Sequence, residues 1–272
     1  MNFDVMELAA ILRDAARAEA LPRFRRLDAS MVQTKTEAID LVTEADIATE
    51  NVIKARIAEW MPEALFVGEE SVAADPALLT RLATADLAVV VDPIDGTANY
   101  AAGLPLFATM AAVVSGGETV AGIIYDPMGD DWMMAEKGSG AWLRRPSGEA
   151  VRMQVAAPLP LAEMVGMASV AFMPSGARPL VLANSSKVRL MSNYRCAGHE
   201  YRTFVSGHAQ FMSYNKLMPW DHLAGTLMSQ EAGGYAARLD GGAYLPFHVD
   251  GGLLVAADKP SWEELRREVF TF

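Results

Sequence analysis

The sequence predicts a layered fold of helices and β-sheets in two closely packed halves, an α+β half over residues 1–150 and an α/β half over residues 151–272. The length of 272 residues is the first reason, because it exceeds what one typical domain core needs. Apolar runs of strand length in the first half are the second reason. The third is an alternation of strand-like and helix-like segments in the second half.

Two helices and a buried strand are predicted in the first half. Apolar residues within 3–20 recur close to helical spacing, and a second helix is expected from near Thr43 to just before Pro62, which ends it. The run DLAVVVD lacks polar alternation, as is typical of a strand buried on both faces. The segment FATMAAVVSGGETVAGIIYDP predicts a hairpin around Gly116 and Gly117.

The second half is predicted to begin near residue 150, where Pro146 and Gly148 interrupt a polar segment. Towards its end, GGLLVAAD indicates a buried strand. The final segment SWEELRREVF predicts a helix with Ser261 as its N-cap, because Glu264 follows three residues later.

The composition argues against several classes of partner. Acidic residues number 34 and basic residues 23, and the net charge of −11 disfavours nonspecific binding to nucleic acid or to an anionic membrane. We therefore expect neither as a partner. The uncharged stretch 96–117 is interrupted by glycine, proline and polar residues, so we interpret it as buried turn and strand and not as a membrane helix.

Cys196 is the only cysteine, so the chain cannot form an internal disulfide. A reducing cytoplasm suits such a chain, and the start MNFDVMELAA lacks the basic region of a signal peptide. We expect a cytoplasmic protein in which Cys196 is a small buried residue and not a catalytic thiol.

The segment VVVDPIDGTANY carries the strongest chemical signal. Asp92 and Asp95 follow a buried strand where the chain turns, Pro93 stiffens the turn, and Gly96 allows close approach of the backbone. Thr97 is expected to begin a helix, and the free N–H groups at a helix N-terminus bind phosphate. The alternative is that Asp95-Gly96 is an ordinary turn and Asp92 a capping residue. Two further acidic segments argue against this alternative.

Both further segments place an acid at the end of an element. In GEES, Glu69 follows an apolar strand, and in MPWDHLAGTLMSQEAGG, Asp221 stands at the head of a helix. Oxygen ligands of this kind suit Mg²⁺ or Mn²⁺. The four histidines show no metal-binding spacing, and we interpret each as a surface or polar-core residue.

In order and separation, GEES, DPIDGTANY and PWDHLAG resemble the motifs of the inositol monophosphatase family, a group of Mg²⁺-dependent, lithium-sensitive phosphatases of small molecules. LVTEAD at 41–46 and EAGG at 231–234 match the same pattern. The resemblance implies an αβαβα sandwich of two halves, usually a homodimer, with the site at their junction.

The resemblance also implies a metal shell for two or three Mg²⁺ ions, with Mn²⁺ as a substitute. The implied ligands are Glu69, Asp92, the backbone carbonyl of Ile94, Asp95 and Asp221. Between them a water would attack a small phosphomonoester in line, without a phospho-enzyme. Catalytic roles fall to Glu69 and to Thr97, which would orient the water with Asp46 as its hydrogen-bond partner.

Substrate contacts follow from the same resemblance. The N–H groups of Gly96 and Thr97 would hold the phosphate, and Asp221 and Gly198 are further expected substrate contacts. Lys35, in the segment QTKTEA, matches a mobile-loop lysine of the family, although an ordinary solvated lysine explains it equally well.

Two positions depart from the family pattern. Inositol-specific members carry a glutamate seven residues before the WD aspartate, where this chain has Tyr214. The stretch GHEY, beginning at Gly198, places Glu200 where a small residue is usual. We expect Glu200 and Tyr214 to contact the substrate and to favour something other than myo-inositol phosphate.

Several alternatives stay open on the sequence alone. The same chemistry could act on histidinol phosphate, a nucleoside 3′,5′-bisphosphate or a sugar bisphosphate. Phosphatases that form an aspartyl phosphate are disfavoured, because their DxD motif has a different spacing and lies early in the chain. A non-catalytic regulatory protein is a further alternative, which the presence of all four acidic ligands disfavours.

Overall fold

Two β-sheets organise the chain, whose computed structural model describes residues 3–28, 32–34 and 41–272. Lys35 lies outside the described residues. The strands up to residue 153 are β1 (Val32–Thr34), β2 (Leu41–Thr43), β3 (Leu65–Gly68), β4 (Leu87–Asp95), β5 (Ala108–Ser115), β6 (Glu118–Asp126), β7 (Asp131–Glu136), β8 (Ala141–Arg144) and β9 (Ala150–Met153). The later strands are β10 (Val165–Ala168), β11 (Leu190–Ser192), β12 (Phe211–Tyr214), β13 (Tyr235–Arg238) and β14 (Leu253–Ala256).

Helices lie between these strands. They are α1 (Val5–Ala15), α2 (Leu21–Arg23), α3 (Glu44–Trp60), α4 (Glu69–Ala74), α5 (Ala77–Leu82), α6 (Thr97–Ala101), α7 (Ala177–Asn184), α8 (Ala197–Val205), α9 (Pro219–Glu231) and α10 (Lys259–Glu268). A π-helical segment, Ala16–Ala20, joins α1 to α2, and two short 3₁₀ turns lie at Leu161–Glu163 and Ser185–Lys187.

The larger sheet has seven strands in the order β3-β4-β5-β6-β7-β8-β9, and only its β3–β4 pair is parallel. The smaller sheet has five strands in the order β11-β10-β12-β14-β13. In it, β10 is parallel to both β11 and β12, while β14 runs antiparallel to β12 and β13. The strands β1 and β2 form a separate antiparallel pair.

Three apolar clusters stack these elements into five layers. Helices α1 and α3 cover the outer face of the large sheet, helices α8 and α9 fill the space between the two sheets, and α7 and α10 cover the outer face of the small sheet. The middle cluster joins residues of both halves, since Met110 and Ile124 of the large sheet share it with Met212 of the small one. This is the αβαβα order that the resemblance implied, so the predicted fold class is confirmed.

Strand β4 is central because it carries the first acidic motif. All nine of its residues are buried, which confirms the prediction of a strand covered on both faces. Val89 and Val91 face the α1 and α3 side, whereas Ala88 and Val90 face the middle layer. Such alternation is the period of an extended strand, so both of its faces lie in apolar cores.

Two further sequence predictions have clear outcomes. The predicted hairpin is confirmed, because β5 and β6 pair antiparallel around Gly116 and Gly117, whose φ angles are 57° and 80°. The predicted N-cap of the last helix was wrong. Asp258 caps α10 by accepting a 2.8 Å hydrogen bond from the Ser261 N–H, so Ser261 lies inside the first turn.

Within the described part of the chain, no helix has both the length and the low charge needed to cross a membrane. The uncharged stretch 96–117 forms α6, the following loop and strand β5, as the sequence suggested.

Candidate active site

A β-bulge at the end of β4 brings two acids to the same side. Asp92 pairs with Met110 of β5, but the next paired residue, Asp95, lies opposite Ala108. Two residues of β4 therefore oppose one of β5. In a regular strand, side chains three positions apart point to opposite faces, and the extra residue of a bulge reverses that orientation. The bulge thus turns Asp95 towards the same point as Asp92.

Asp95 is held by the first turn of α8, which comes from the other half of the chain. Its Oδ1 accepts a hydrogen bond from the Ala197 N–H at 3.1 Å, and its Oδ2 accepts from the Gly198 N–H at 2.6 Å and from the Cys196 thiol at 2.9 Å. A carboxylate at a helix N-terminus also gains from the helix dipole. These contacts fix the position of Asp95 despite its burial.

Asp92 contrasts with Asp95 because one of its oxygens is unsatisfied. Its side chain is 2% exposed, and Oδ1 has no hydrogen-bond partner among the described residues. Burial raises the pKa of the Asp92 carboxyl well above its usual range, and the negative charges of nearby carboxylates raise it further. A buried carboxylate of this kind is stable when a cation lies against it.

Asp221 completes a close group with these two acids. Pro219 fixes the first turn of α9, and Asp221 is two residues further along that turn. One carboxylate oxygen from each of Asp92, Asp95 and Asp221 lies within 4.8 Å of the others. The structure therefore brings together three of the acids that the sequence predicted as metal ligands.

Glu69 lies on the wall of the same cavity but outside this close group. It begins α4, whose first N–H groups are bound by the buried carboxylate of Glu50. Glu50 accepts hydrogen bonds from the N–H groups of Glu70 at 2.7 Å and Ser71 at 2.8 Å. Gly68 is required here, because a Cβ at this position would collide with the Glu50 carboxylate. Glu50 thus positions the GEES segment.

Thr97 and Asp46 form the predicted hydrogen bond. The Thr97 hydroxyl lies 3.1 Å from Asp46 Oδ1 and 3.0 Å from the backbone oxygen of Ile94. Asp46 is itself fixed by Thr43, whose N–H and hydroxyl donate to Asp46 Oδ2 at 2.9 and 2.6 Å. Since both neighbours of the Thr97 hydroxyl are acceptors, its proton points to one of them, and its lone pairs are directed elsewhere.

The acids open into a cavity of about 400 Å³ that reaches both halves of the chain. Besides the acids, its walls include Ile94, Gly96, Thr97, Glu200, Tyr214 and the loops that follow β10, β11 and β12. Gly96 has a φ of 85° and approaches Leu106, whose backbone oxygen would lie 2.9 Å from a Cβ. The predicted site residues therefore share one cavity, except for Asp46 and Gly198, which contact its walls from behind.

Comparison with known proteins agrees with this geometry. The sequence profile described as the inositol monophosphatase family matches residues 4–271. The chain belongs to that family of phosphomonoesterases. It is 32% identical to an inositol-1-monophosphatase of Caulobacter vibrioides, covering 76% of this chain and 79% of the relative. It is 31% identical to a histidinol-phosphatase of Streptomyces coelicolor, covering 88% of each chain.

A solved structure gives the same result for the fold. The extragenic suppressor protein suhB from Bartonella henselae is 27% identical to this chain, covers 98% of both chains and superposes with a TM-score of 0.82.

At the two positions where this member of the inositol monophosphatase family departs from the pattern, the side chains are buried and both line the cavity. Glu200 is 2% exposed and Tyr214 5% exposed. Glu200 Oε1 accepts a hydrogen bond from the Tyr194 N–H at 2.7 Å, and the Tyr214 hydroxyl donates to Met212 Sδ at 3.6 Å. Burial raises the pKa of Glu200 to about 7.

Behind Tyr214 lies a buried polar network. The ring centroid of Tyr214 lies 4.5 Å from the ring centroid of His222, and the His222 Nδ1 lies 3.3 Å from the Tyr201 hydroxyl. His222 Nε2 lies 3.0 Å from the backbone oxygen of Lys216, which can only accept, so Nε2 carries the proton. Burial lowers the pKa of His222 to about 4, so the ring is neutral near pH 7.

Sequence reasoning missed several contributors to the site. Glu50 looks like an ordinary acid of an exposed helix face, and Cys196 like a small core residue, yet both bind site segments. Arg195 and Asn215 line the cavity from loops. No motif in the sequence marks these last two residues.

Proposed function

We propose that this chain hydrolyses small phosphomonoesters at the Asp92, Asp95 and Asp221 group, using divalent cations. One observation carries the proposal. Three carboxylates from two separate elements converge within 4.8 Å, while a buried oxygen of Asp92 has no partner among the described residues. Such an arrangement is unfavourable unless positive charge lies between the acids.

The donor set fits hard cations. Carboxylate oxygens with one backbone carbonyl are the ligands that Mg²⁺ and Mn²⁺ prefer, so we assign Glu69 and the Ile94 carbonyl to the same shell as the three aspartates. We propose two or three ions, which these residues, Asp92 included, would hold. When bound, such ions lower the pKa of a water molecule and neutralise charge on attacking and leaving oxygens.

Thr97 and Asp46 orient the attacking water in this proposal. Because the Thr97 proton points to Asp46 or to the Ile94 carbonyl, a lone pair of its hydroxyl can accept a hydrogen bond from the water. The water then presents its own lone pair to phosphorus. A positioned acceptor of this kind typically contributes a factor of about 10²–10⁴ to the rate.

The phosphate and the leaving group occupy different walls. Gly96 and Thr97 line the cavity at the start of α6, so we assign their N–H groups to phosphate oxygens. We assign Gly198, Glu200 and Tyr214 to the leaving-group side, with Asp221 between the two regions. Because Tyr214 replaces an acid of inositol-specific relatives, the substrate differs from myo-inositol phosphate in this proposal.

Three finer expectations belong to the same proposal. We propose a homodimer in the cytoplasm that acts on a small phosphorylated metabolite and not on nucleic acid. The relative from Bartonella henselae is named a suppressor protein, so a regulatory role is the alternative. A regulatory role would not require the protein to hydrolyse any phosphate ester.

Phosphate release from a panel of monoesters tests the proposal. With Mg²⁺, the wild type should turn over at least one ester, and removal of the cation with a chelator should abolish the activity. Asp92→Asn and Asp221→Asn should each lower kcat/KM by about 10³-fold or more, because each removes several kcal/mol of charge stabilisation.

The matched control is Asp14→Asn, which removes an acid whose side chain is 58% exposed and lies outside the cavity lining. It should retain wild-type turnover. Mg²⁺ should also raise the Tm of the wild type, because an ion that binds only the folded state stabilises it, and should raise that of Asp92→Asn much less. Normal turnover by both site variants would contradict the proposal.

A further inference from the structure

Helix α6, which begins two residues after Asp95, is anchored to the outer helical layer by Tyr100. The Tyr100 side chain is fully buried, and its hydroxyl donates a 2.7 Å hydrogen bond to the backbone oxygen of Ala20. Ala20 belongs to the π-helical segment between α1 and α2. The Tyr100 ring centroid also lies 5.5 Å from that of Phe24 and 5.0 Å from that of Phe107. These contacts fix α6 in place.

The preceding residue, Asn99, connects α6 to two other segments of the chain. Its side chain is 2% exposed, and its Nδ2 donates to the backbone oxygens of Leu106 at 3.0 Å and of Tyr194 at 2.7 Å. A side-chain amide nitrogen has two N–H donors, so these two bonds use both. Leu106 precedes β5 in the first half of the chain, whereas Tyr194 follows β11 in the second half. Asn99 therefore joins the two halves beside the acidic group.

The segment 194–198 runs from the partner of Asn99 to the donors that bind Asp95. Its first N–H is held by Glu200, whose Oε1 accepts from it at 2.7 Å. Its last three residues supply the three hydrogen bonds to the Asp95 side chain. Only Arg195 separates the residue bound by Asn99 from the first of these donors. A shift at the start of the segment would therefore move the groups that fix Asp95.

The backbone of this segment is imposed by its surroundings. Arg195 has a φ of 56°, which is uncommon for a residue other than glycine, and its N–H donates to Asn193 Oδ1 at 2.8 Å. Both backbone groups of the preceding residue, Tyr194, are bound, the N–H by Glu200 and the oxygen by Asn99. A sparsely populated backbone conformation persists only where neighbouring groups enforce it. Asn99 and Glu200 are the buried side chains that do so here.

The same contacts enclose the residue that follows Asp95. A Cβ at Gly96 would lie 2.9 Å from the backbone oxygen of Leu106 and 3.0 Å from the Cys196 Cβ. That Leu106 oxygen is bonded to Asn99 directly, and Cys196 is two residues beyond the second partner of Asn99. The chain at 95–96 is thus packed between two groups that Asn99 helps to place.

We propose that Asn99 is a positioning residue for the cation site. By binding the backbone of Leu106 and Tyr194 it sets the turn that carries the donors to Asp95, and through Asp95 it sets the affinity for divalent cations. This rests on the proposed function, because it takes Asp95 as a cation ligand. Asn99 lies outside the cavity lining, so it acts without touching ion or substrate. Removing a group that orients a metal ligand typically lowers metal affinity by about 10–100-fold.

Calorimetric titration of the whole protein with Mn²⁺ or Mg²⁺ measures this effect. Asn99→Leu has a similar size and removes both donors without adding a charge, so the Kd should rise about tenfold or more. Asn99→Ser is a second, milder variant with the same expected direction. A Tm for each variant confirms folding, and an unchanged Kd in both variants would overturn the proposal.

The matched control is Asn184→Leu, because Asn184 is also a half-buried bridge between elements. Its Nδ2 donates to the Val269 backbone oxygen at 3.3 Å and to Thr271 Oγ1 at 3.4 Å, outside the cavity lining. Asn184→Leu should keep the wild-type Kd even where its Tm falls. A rise in Kd equal to that of Asn99→Leu would show that general loosening of the fold weakens cation binding, which would also overturn the proposal.

Arg195→Gly tests whether Asn99 acts through the turn. Glycine adopts the left-handed φ without strain, so the turn then needs less support from its neighbours. Added to Asn99→Ser, Arg195→Gly should restore part of the lost cation affinity. Strictly additive effects of the two changes would show that Asn99 acts by another route and would overturn the assignment.

A readout that needs no cation uses Cys196, the only cysteine of the chain. Its side chain is 2% exposed and its thiol donates to Asp95, so a thiol reagent such as DTNB reacts with it only when the turn opens. In Asn99→Leu the labelling rate should rise about tenfold beyond the change that global unfolding, measured with denaturant, accounts for. Asn184→Leu should show no such excess.

The two readouts separate this inference from the function on which it rests. If the wild type binds no cation while Asn99→Leu shows the excess labelling, the proposed function fails and the dependence of the turn on Asn99 stands. If the wild type binds cations while labelling and Kd are unchanged in the Asn99 variants, the positioning role fails and the proposed function stands.

Discussion

The two ends of the cavity are built in opposite ways. At the end that carries Asp92, Asp95 and Asp221, the proposed metal end, the protein itself fixes several polar groups, since Asp95 accepts from three donors at the start of α8 and Asp46 binds both Thr43 and Thr97. At the edge of the small sheet, the loops after β11 and β12 line the cavity with Arg195, whose side chain is exposed, and with Asn215. The first end lies on strand and helix termini, and the second on loops.

This difference separates chemistry from selectivity. A reacting group must be held within a few tenths of an ångström before the substrate arrives, which favours the ends of rigid elements. Loops vary without disturbing the sheets that carry them. Relatives of this chain are named for different activities, as an inositol-1-monophosphatase and a histidinol-phosphatase. Such a range of activities is expected if relatives share the first end of the cavity and differ at the second.

Removing the Thr97 hydroxyl should have the largest effect among the changes that probe this contrast. Thr97→Val keeps the shape of the side chain but cannot orient a water, so kcat should fall about 10²-fold with little change in KM. Thr97→Ser retains the hydroxyl and is the control, with at most a severalfold loss. Steady-state kinetics on one good ester measure both. A normal kcat in Thr97→Val would place the orienting group elsewhere.

A change at Glu200 should alter stability in a pH-dependent way. Its pKa is raised from 4.5 to about 7 by burial, so between these values the folded state keeps a proton that the unfolded state has lost. Stability therefore falls as pH rises through this window. The wild type should lose about 2 kcal/mol from this group between pH 5 and pH 8, and Glu200→Gln should not.

Chemical unfolding at the two pH values measures this difference. Glu136→Gln, which changes an exposed glutamate, provides the control and should follow the wild type. If Glu200→Gln and the wild type show the same pH dependence, Glu200 is ionised in the folded protein and the loop that carries Arg195 is bound by a charged group.

The smallest effect is expected at the contact between the two halves. A Cβ at Gly198 would lie 2.9 Å from Ala108 Cβ and 3.0 Å from Asp95 Oδ2, so Gly198→Ala should cost roughly 1–2 kcal/mol of unfolding free energy. Gly176→Ala is the control, because nothing lies within 4 Å of its added methyl group. Denaturant midpoints compare them, and equal midpoints would show that α8 moves away from Asp95 without cost.

Much of this molecule was predictable from local pattern. The uninterrupted apolar run of β4 predicted a strand buried on both faces, and the glycine pair at 116–117 predicted a hairpin. The acids of three motifs were assigned to one site through their resemblance to the inositol monophosphatase pattern. In these cases the residue type and its neighbours in sequence determine the structure.

The features that could not be predicted depend on contacts between residues distant in sequence or on small differences in local backbone geometry. The bulge that turns Asp95 leaves no trace in the residue types, and Ala197 binds Asp95 from 102 positions away. Glu50 of α3 binds the N–H of Ser71 in α4, 21 positions further along the chain, so its helical spacing alone resembles that of a surface acid. At α10, both Asp258 and Ser261 suit an N-cap, and the backbone geometry selected Asp258.

The hydrogen bonds between Asp95 and the start of α8 make the site a thermodynamic link between the halves. Asp95 belongs to a strand of one half, and the donors that hold it begin a helix of the other. Separating the halves would strip three donors from a carboxylate that also faces the metal end. In the proposed function, ion binding by the Asp92, Asp95 and Asp221 group and the contact between the halves are therefore linked, and each changes the other by the same free energy.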